Sequence, residues 1–486
     1  MTAVRLGFVA LAGAVVTGLI APAAAPAQAA APAQAPAAQA AAPAAPAAAR
    51  DRAPLTGPLL APLATAARRP TTAGLTAVLG PLLEDKHLGG RVAMSVRDVA
   101  TGKEVFGHAA TTPLIPASTT KLFTAAAAAL SLLGPEHRFT TRVLLDPVPE
   151  PTAKASAGPA TIVLVGGGDP LLSSQAALTL ATKRGHVVYP DATTATIDRL
   201  ATRTAAALEA AGHTKVELRY DASLFTQPVS PHWREVYLDS SVVAPVSALW
   251  VDEARVKAPF DARVADPAKD AATRFAALLN SWGIAVSGAP APQHAARGAT
   301  PIAAIESAPL GSIVEHMLLS SDDDGAEVLA RQVAIAAGRS PDFAGASAAV
   351  LARVRSLGVD TAGVLLYDGS GLSRDSGIPA GTLTALIDVI AGGRHPELSA
   401  ALSGLPVAGF DDTLADRFRV SGTTSGAGLV HAKTGTLTGV SSLAGTVLTR
   451  DGALLSFAVM TDRIGTTDAR LAGDRLAATL AMCGCR

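Results

Sequence analysis

"PASTTKLFTAAAAAL", residues 116–130, opens with small and hydroxylated side chains, sets one lysine three places after a serine, and then runs into alanine and leucine. Two readings fit it. In the first this is an ordinary helix start, with a serine cap, threonines in the first turn and a lysine whose stem snorkels its charge to solvent. In the second Ser118 is a nucleophile, and Lys121, one helical turn on and on the same face, takes its proton. Ser-x-x-Lys is a common tetrapeptide, so the rest of the chain decides.

A chain of 486 residues, half of them hydrophobic, can bury a large core and suggests two or three domains. The formal charge is zero, so there is no basic field for nucleic acid. Arg5 precedes an apolar run from Leu6 to Ile20, short for a membrane span of about 20 residues but suited to a signal-peptide core. Ala27-Gln28-Ala29 offers a cleavage site after residue 29; an uncleaved N-terminal membrane anchor is the rival. Either way the bulk of the chain is expected to be exported, to the cell wall, periplasmic space or exterior. Alanine, proline and glutamine dominate from Pro22 to about Arg50, so residues 30–70 read as an extended linker, with folding expected to begin near Leu75. Cys483 and Cys485 are the only cysteines, and export favours a disulfide between them over free thiols.

Within "RVAMSVRDVATGKEVFGHAA", residues 91–110, apolar and polar residues alternate on both sides of Thr101-Gly102, a hairpin signal. The run from Leu122 to Leu133 reads as a buried helix ended by Gly134-Pro135, which places Ser118 at the N-terminus of a central helix. Strand-like segments follow: "TRVLLD", "TIVLVGGGDPLL", "KVELRYDASLF" and "VSALWVDEARV", with a helix near Thr196 to Ala211 and another in "DPAKDAATRFAALLNSWG", stopped by Gly283. After Pro309 the pattern is helix-rich. Residues 431–462 then read as two alternating strands around Asp451-Gly452, a hairpin before a last helix. The expected fold is α+β: an antiparallel sheet flanked by helices, its first and last strands neighbours, formed by residues 71–140 and 300–486 around a mainly β inserted region, 141–299.

Two segments bear on Ser118. "HAKTGTLTG" puts Lys433-Thr434-Gly435 on a strand, where lysine supplies charge for a carboxylate and glycine permits close backbone approach. "LLSSDDDGAEVLAR" puts Ser321 between two helices. A Ser-x-x-Lys helix start, a Ser-Asp interhelical loop and a Lys-Thr-Gly strand, in that order, form the signature of penicillin-binding enzymes.

From roughly Leu75 to Met482 the chain resembles the class C low-molecular-mass penicillin-binding proteins, the D-alanyl-D-alanine carboxypeptidases and endopeptidases. The likeness rests on "LGPEHRFTTRV", "LVGGGDPLL", "YDASLF", "APVSALWVD", "SSDDDGAEVLARQV", "DGSGLSR", "LPVAGFDDTLADRF" and "AKTGTLTGVSSLAG", and on the long segment between Ser118 and Ser321. The resemblance implies a serine hydrolase of peptidoglycan stem peptides, inhibited covalently by β-lactams, without metal or organic cofactor. Ser118 would attack the carbonyl between two D-alanines, and Lys121 would accept its proton if burial and the nearby Lys433 charge leave its amine partly neutral. Amides of Ser118 and Thr436 would form the oxyanion hole, Ser321 would relay a proton to the leaving amine, and Lys433 and Thr434 would hold the terminal carboxylate, with Gly435 beside them in the substrate-binding strand.

One position departs from the family pattern Ser-x-Asn: Asp323, inside Asp322-Asp323-Asp324, in a chain whose only asparagine is Asn280. An amide donates and accepts, whereas an ionised carboxylate only accepts, and its charge favours protonated lysines nearby. Asp323 therefore sets two expectations against each other, a working enzyme that has drifted to aspartate and an impaired wall-binding protein; a β-lactamase is disfavoured by the long insertion. Asp169 in "GGGDP" and Arg374 in "GLSR" match positions that in similar proteins line a diaminopimelate pocket, against plainer readings of a turn residue before Pro170 and a tight loop around Asp368. His137, His232 and His431 lack metal-ligand spacing.

Overall fold

The computed structural model describes residues 68–128, 134–147, 159–183, 195–257 and 262–485; the leader and almost all of the linker lie outside them. Regular structure begins at Thr72–Leu83, a helix capped by the Thr71 hydroxyl, which accepts from the Gly74 amide at 3.0 Å. Thr71 also donates its amide to the Cys485 carbonyl at 2.8 Å, and Cys483 is disulfide-bonded to Cys485, so the two ends of the folded part meet.

Five antiparallel strands form the main sheet, in the order Val430–Leu437, Val440–Leu448, Leu454–Asp462, Val92–Asp98 and Lys103–His108. The expected hairpin at Thr101-Gly102 is present, and the first strand lies against the last, Val96 opposite Phe457. The terminal segment differs from expectation: residues 431–462 supply three strands, because Thr438-Gly439 makes a tight turn of its own. Both faces of the central strands are buried, so polarity cannot mark that turn.

What alternates along these strands is size. Met94, Val96, Leu443, Phe457 and Val459 point to one face, beneath the helices Thr72–Leu83 and Thr466–Ala481. Ala93, Ala444 and Ala458 point to the other, where Phe123, Leu383 and Ile387 pack. Each large side chain buried this way contributes roughly 1.5–3 kcal/mol, while the small face lets helix backbone come close to the sheet. On that side runs the helix Lys121–Ala127, entered through a 3-10 turn, Ala117–Thr120. Residues 129–133, where its end was expected, lie outside the described residues.

A second sheet is built from the chain between the Ser118 helix and the helix Leu310–Ser320. Its path runs Ala285–Val286, Lys215–Asp221, Ala160–Val165, Thr140–Leu145 and Thr300–Glu306, and Ala291–Pro292 also pairs with Lys215–Asp221. Helices Ile197–Ala210 and Pro267–Ser281 cover it through Leu200, Leu208, Phe275 and Leu279. "VSALWVDEARV" forms no strand; Leu249, Trp250 and Val251 are buried as irregular chain, their apolarity serving the core without a ladder. The first and last long strands of this sheet are partners, Thr141 opposite Ile305, so the segment leaves and re-enters the main body at one place. Among the described residues no helix is long and apolar enough to cross a membrane.

The edge strand Val430–Leu437 touches the Ser118 turn through Gly435. A Cβ there would lie within 2.5 Å of the Pro116 carbonyl oxygen, closer still to Ser442 Oγ, and 3.2 Å from the Thr119 amide nitrogen. Ser442 Oγ itself bonds the Pro116 carbonyl at 2.6 Å, so neither neighbour can retreat freely. Gly435→Ala is expected to cost about 1–3 kcal/mol as overpacking, read as a lowered Tm in thermal melts; a Tm equal to the parent's would show that the turn yields without cost.

Candidate active site

Ser118 sits in the 3-10 turn ahead of the helix, and its hydroxyl caps nothing: it accepts from Lys121 Nζ at 3.1 Å. The snorkelling lysine of the plain reading is absent too. Lys121 is 0% exposed, and its Nζ also donates to Asp323 Oδ1 at 2.5 Å and to the Ser370 carbonyl at 3.0 Å. Three acceptors meet the three N–H bonds of one ammonium, which is how a charge survives away from water.

The second amine stands opposite. Lys433, also fully buried, donates to Ser321 Oγ at 2.9 Å and to the Thr434 carbonyl at 3.0 Å. Burial, and then the charge of Lys121, hold the Lys433 ammonium well below the ordinary lysine range, against the opposing pull of Asp323 and Asp412. Ser321 ends the helix Leu310–Ser320 in a left-handed conformation, φ 58°, and the next helix, Asp323–Ala336, starts immediately. The three aspartates at that start divide the work. Asp322 caps the helix by accepting from the Gly325 amide, Asp323 meets Lys121, and Asp324 pairs with Arg263 at 2.6 Å and accepts from the Ala244 amide.

Thr436 lies on the edge strand two residues past Thr434. Ala432 in the same strand sends its amide outward to the Pro406 carbonyl, and by the two-residue period of a strand the amides of Thr434 and Thr436 leave the sheet in the same direction. Thus Ser118, Lys121, Asp323, Ser321 and Lys433 are linked by bonds or direct charge, with Thr434, Gly435 and Thr436 beside them on the edge strand.

The model for the D-Ala-D-Ala carboxypeptidase 3 (S13) family matches residues 75–262 and 257–482. The chain belongs to that family. A carboxypeptidase of Mycobacterium tuberculosis is 37% identical over 426 residues, covering 87% of each chain. The D-alanyl-D-alanine carboxypeptidase of an Actinomadura species is 31% identical, covering 77% of this chain and 78% of its own. Penicillin-binding protein 4 of Haemophilus influenzae has a similar fold, with a TM-score of 0.66 at 22% identity over 82% of this chain and 98% of that one.

In this S13 chain two of the singled-out residues stand apart from the bonded cluster. Asp169 is buried, its Oδ1 accepts from the Leu171 amide at 2.9 Å, and Trp250 Nε1 reaches the Asp169 and Pro170 carbonyls, an Asx turn ahead of proline. Arg374 donates from Nη2 to the Thr438 carbonyl at 2.5 Å, beside the turn that ends the edge strand. Asp368 holds a tight loop, accepting from the amides of Gly371 and Ser373 and from Trp233 Nε1. His232 pairs with Asp375 at 2.8 Å, and His137 packs edge-on against Phe139. Among the described residues one group, Glu253, His316 and Asp322, gathers ligand-type atoms within 4.8 Å, but Arg255 already binds the Glu253 carboxylate at 2.5 Å.

Sequence reasoning missed the backbone partners. Ser370, inside the quoted "DGSGLSR", contributes a carbonyl, which no residue type advertises, and Gly371 beside it has φ 89° and packs on the Ala117 carbonyl, leaving no room for a side chain. Thr124 fastens the same loop by donating to the Gly369 carbonyl at 2.7 Å.

Burial raises the Asp169 carboxyl from 3.8 to about 7, with the Leu171 amide opposing. The folded state therefore prefers the neutral acid, so the stability it contributes is complete below pH 3.8 and is lost as pH rises through about 7. Asp169→Asn keeps the acceptor and cannot ionise. Its Tm is expected to match the parent's at about pH 4 and exceed it at about pH 8, on a scale of about 1.4 kcal/mol per unit of displaced pKa; a constant difference across that range would contradict a buried titrating carboxyl.

Proposed function

We propose that this chain is an exported serine D-alanyl-D-alanine carboxypeptidase that trims peptidoglycan stem peptides through an ester on Ser118. The observation that carries the reading is the convergence of two hydroxyls and two buried amines, Ser118 with Lys121 and Ser321 with Lys433, in a chain of the S13 family. Ser118 Oγ attacks the carbonyl between the two D-alanines as its proton passes to Lys121 in the amine form. The Ser118 and Thr436 amides take up the charge on the carbonyl oxygen. The C–N bond then breaks, and the proton that Lys121 took is handed on to the leaving amine through Ser321, which Lys433 holds by a hydrogen bond, so that Lys121 returns to the amine form. Water hydrolyses the ester with Lys121 again as base.

Lys433 and Thr434 supply charge and a hydroxyl for the terminal carboxylate of the substrate. Asp169 and Arg374 are the proposed readers of a diaminopimelate side chain; hydrolysis of diaminopimelate and lysine stem peptides at equal relative rates by Asp169→Ala and the parent would remove that role for Asp169. The same chemistry cuts a cross-link between stems wherever the cleft admits the second strand. A β-lactam presents an amide carbonyl to the same serine and stays attached as an inhibitor. Peptidoglycan lies outside the cytoplasm, in keeping with the leader-like residues 1–29.

Fluorescent penicillin should label the parent and leave Ser118→Ala unlabelled, with release of D-alanine from stem peptides following the same pattern. Labelling that persists in Ser118→Ala would end the assignment.

The bond from Lys121 to Asp323 supports a second reading, a slow or inactive wall-binding protein on the same fold. A carboxylate at 2.5 Å occupies one side of the Lys121 amine and offers no donor to a substrate carbonyl. Asp323→Asn restores the donor and removes the counter-charge, and is expected to speed acylation by about tenfold or more, an effect of at least roughly 1.4 kcal/mol on the barrier. An unchanged or slower rate would clear Asp323 of that restraint.

A further inference from the structure

Glu327 lies one helical turn beyond Asp323 on the helix Asp323–Ala336 and is fully buried. It touches neither Ser118 nor Lys121 through any bond, yet its Oε1 accepts from two successive amides, Gly369 at 3.0 Å and Ser370 at 2.8 Å. The carbonyl of that same Ser370 accepts from Lys121 Nζ. We infer that Glu327 is a positioning residue for the proposed nucleophile pair: by gripping the Gly369 and Ser370 amides it fixes the Ser370 carbonyl on Lys121 and so aims the amine at Ser118. This rests on the carboxypeptidase reading and adds to it a residue outside the reacting groups.

Several groups hold this loop: Thr124 ties the Gly369 carbonyl, Asp368 accepts from the Gly371 amide at 3.0 Å, and Gly371 is wedged against Ala117. The Gly369 and Ser370 amides themselves are met by Glu327. A buried carboxylate binding two amides makes strong, charge-assisted bonds, and without it both N–H groups would be stranded away from water. The carboxylate is held in turn by Arg331, whose Nη1 lies 3.5 Å from Glu327 Oε2 and donates to the Glu327 carbonyl at 3.1 Å, while its guanidinium sits 4.0 Å over the Phe343 ring. Asp368 faces Glu327 from the gripped loop as a like charge, and Lys121 lies beyond it from the central helix. Burial, followed by the repulsion of Asp368, pushes the Glu327 carboxyl up to about 7. Ionised Glu327 grips the amides more strongly than the acid does, so the aim of Lys121 tightens as pH rises through that value.

The test uses the full chain with Glu327→Gln and Glu327→Ala, following acylation by fluorescent penicillin from about pH 5 to about pH 9 and kcat and KM on a D-alanyl-D-alanine peptide. Alanine is expected to slow acylation by about ten- to a hundredfold with KM nearly unchanged, the size of loss that follows a misplaced catalytic group. Glutamine keeps an acceptor oxygen and should recover much of the rate, but should lack the rise through about pH 7 expected of the parent. If both variants melt as folded proteins and acylate at the parent's rate with the parent's pH profile, Glu327 positions nothing. Should alanine fail to fold, glutamine decides alone: a profile identical to the parent's overturns the inference. A parent that takes label which Ser118→Ala does not, beside an indifferent Glu327→Gln, would leave the carboxypeptidase reading standing and this inference refuted. A parent that takes no label would bring both down.

Discussion

The Lys121 ammonium ties together three pieces of chain that lie 3, 202 and 249 positions from it in sequence. Removing a lysine from water costs several kcal/mol unless its hydrogens find acceptors. Here the acceptors are a hydroxyl, a carboxylate and a carbonyl, delivered by a 3-10 turn, a helix start and a loop. The same demand that makes the lysine tolerable inside the protein therefore brings its nitrogen to Ser118. Fold stability and site geometry are set by one group of bonds, and a change to any acceptor acts on both.

Backbone strain marks the two hydroxyls. Ala117, just before Ser118, has φ 48°, and Ser321 has φ 58°, both in the left-handed region that costs a non-glycine residue of the order of 1 kcal/mol or more. Neither is free to relax. The Pro116 carbonyl is pinned by Ser442, the Ala117 carbonyl is covered by Gly371, and Ser321 is caught between the end of one helix and the capped start of the next. Small residues allow this crowding: alanines on one face of the sheet, Gly435 under the turn and Gly371 against it. The alanine-rich composition, which says little about chemistry taken position by position, is what lets helix, strand and loop approach within bonding distance of one another.

That explains which parts of the molecule were legible in the chain. Ser118, Lys121, Ser321 and Lys433 could be read because side-chain chemistry is written in residue identity and their order along the chain is distinctive. The hairpin at Thr101-Gly102 and the pairing of first and last strands followed from turn residues and alternation. The third terminal strand did not, since a sheet buried on both faces loses its polar rhythm and only the size of side chains alternates. "VSALWVDEARV" misled for the converse reason: burial selects apolar residues whether or not the backbone is in a ladder. The Asp322-Asp323-Asp324 run looked like a single block of charge, yet each carboxylate has a different partner: Asp322 caps its own helix on the Gly325 amide, a local contact, whereas Lys121 and Arg263, the partners of Asp323 and Asp324, are brought up only by the tertiary fold. Carbonyl groups such as that of Ser370 leave no trace in sequence at all.

The inserted segment has a part in the same arrangement. Arg263 and the Ala244 amide bind Asp324, the Gly167 carbonyl accepts from Gln332 Nε2 at 2.8 Å, and the Gln227 carbonyl accepts from Arg331 at 3.1 Å. All of these attachments fall on the helix Asp323–Ala336, on residues neighbouring or a turn away from Asp323 and Glu327. The opposite side of that helix packs on the Lys121 helix through Ala326, Leu329, Ala330 and Val333. A helix held on one side only by small apolar contacts could slide along its neighbour, since such packing is weakly directional. Polar anchors from the insertion fix both its rotation and its height, because a hydrogen bond tolerates only a few tenths of an ångström. The insertion thus braces the helix that carries Asp323 and Glu327, while its own first and last strands close on each other, Thr141 beside Ile305.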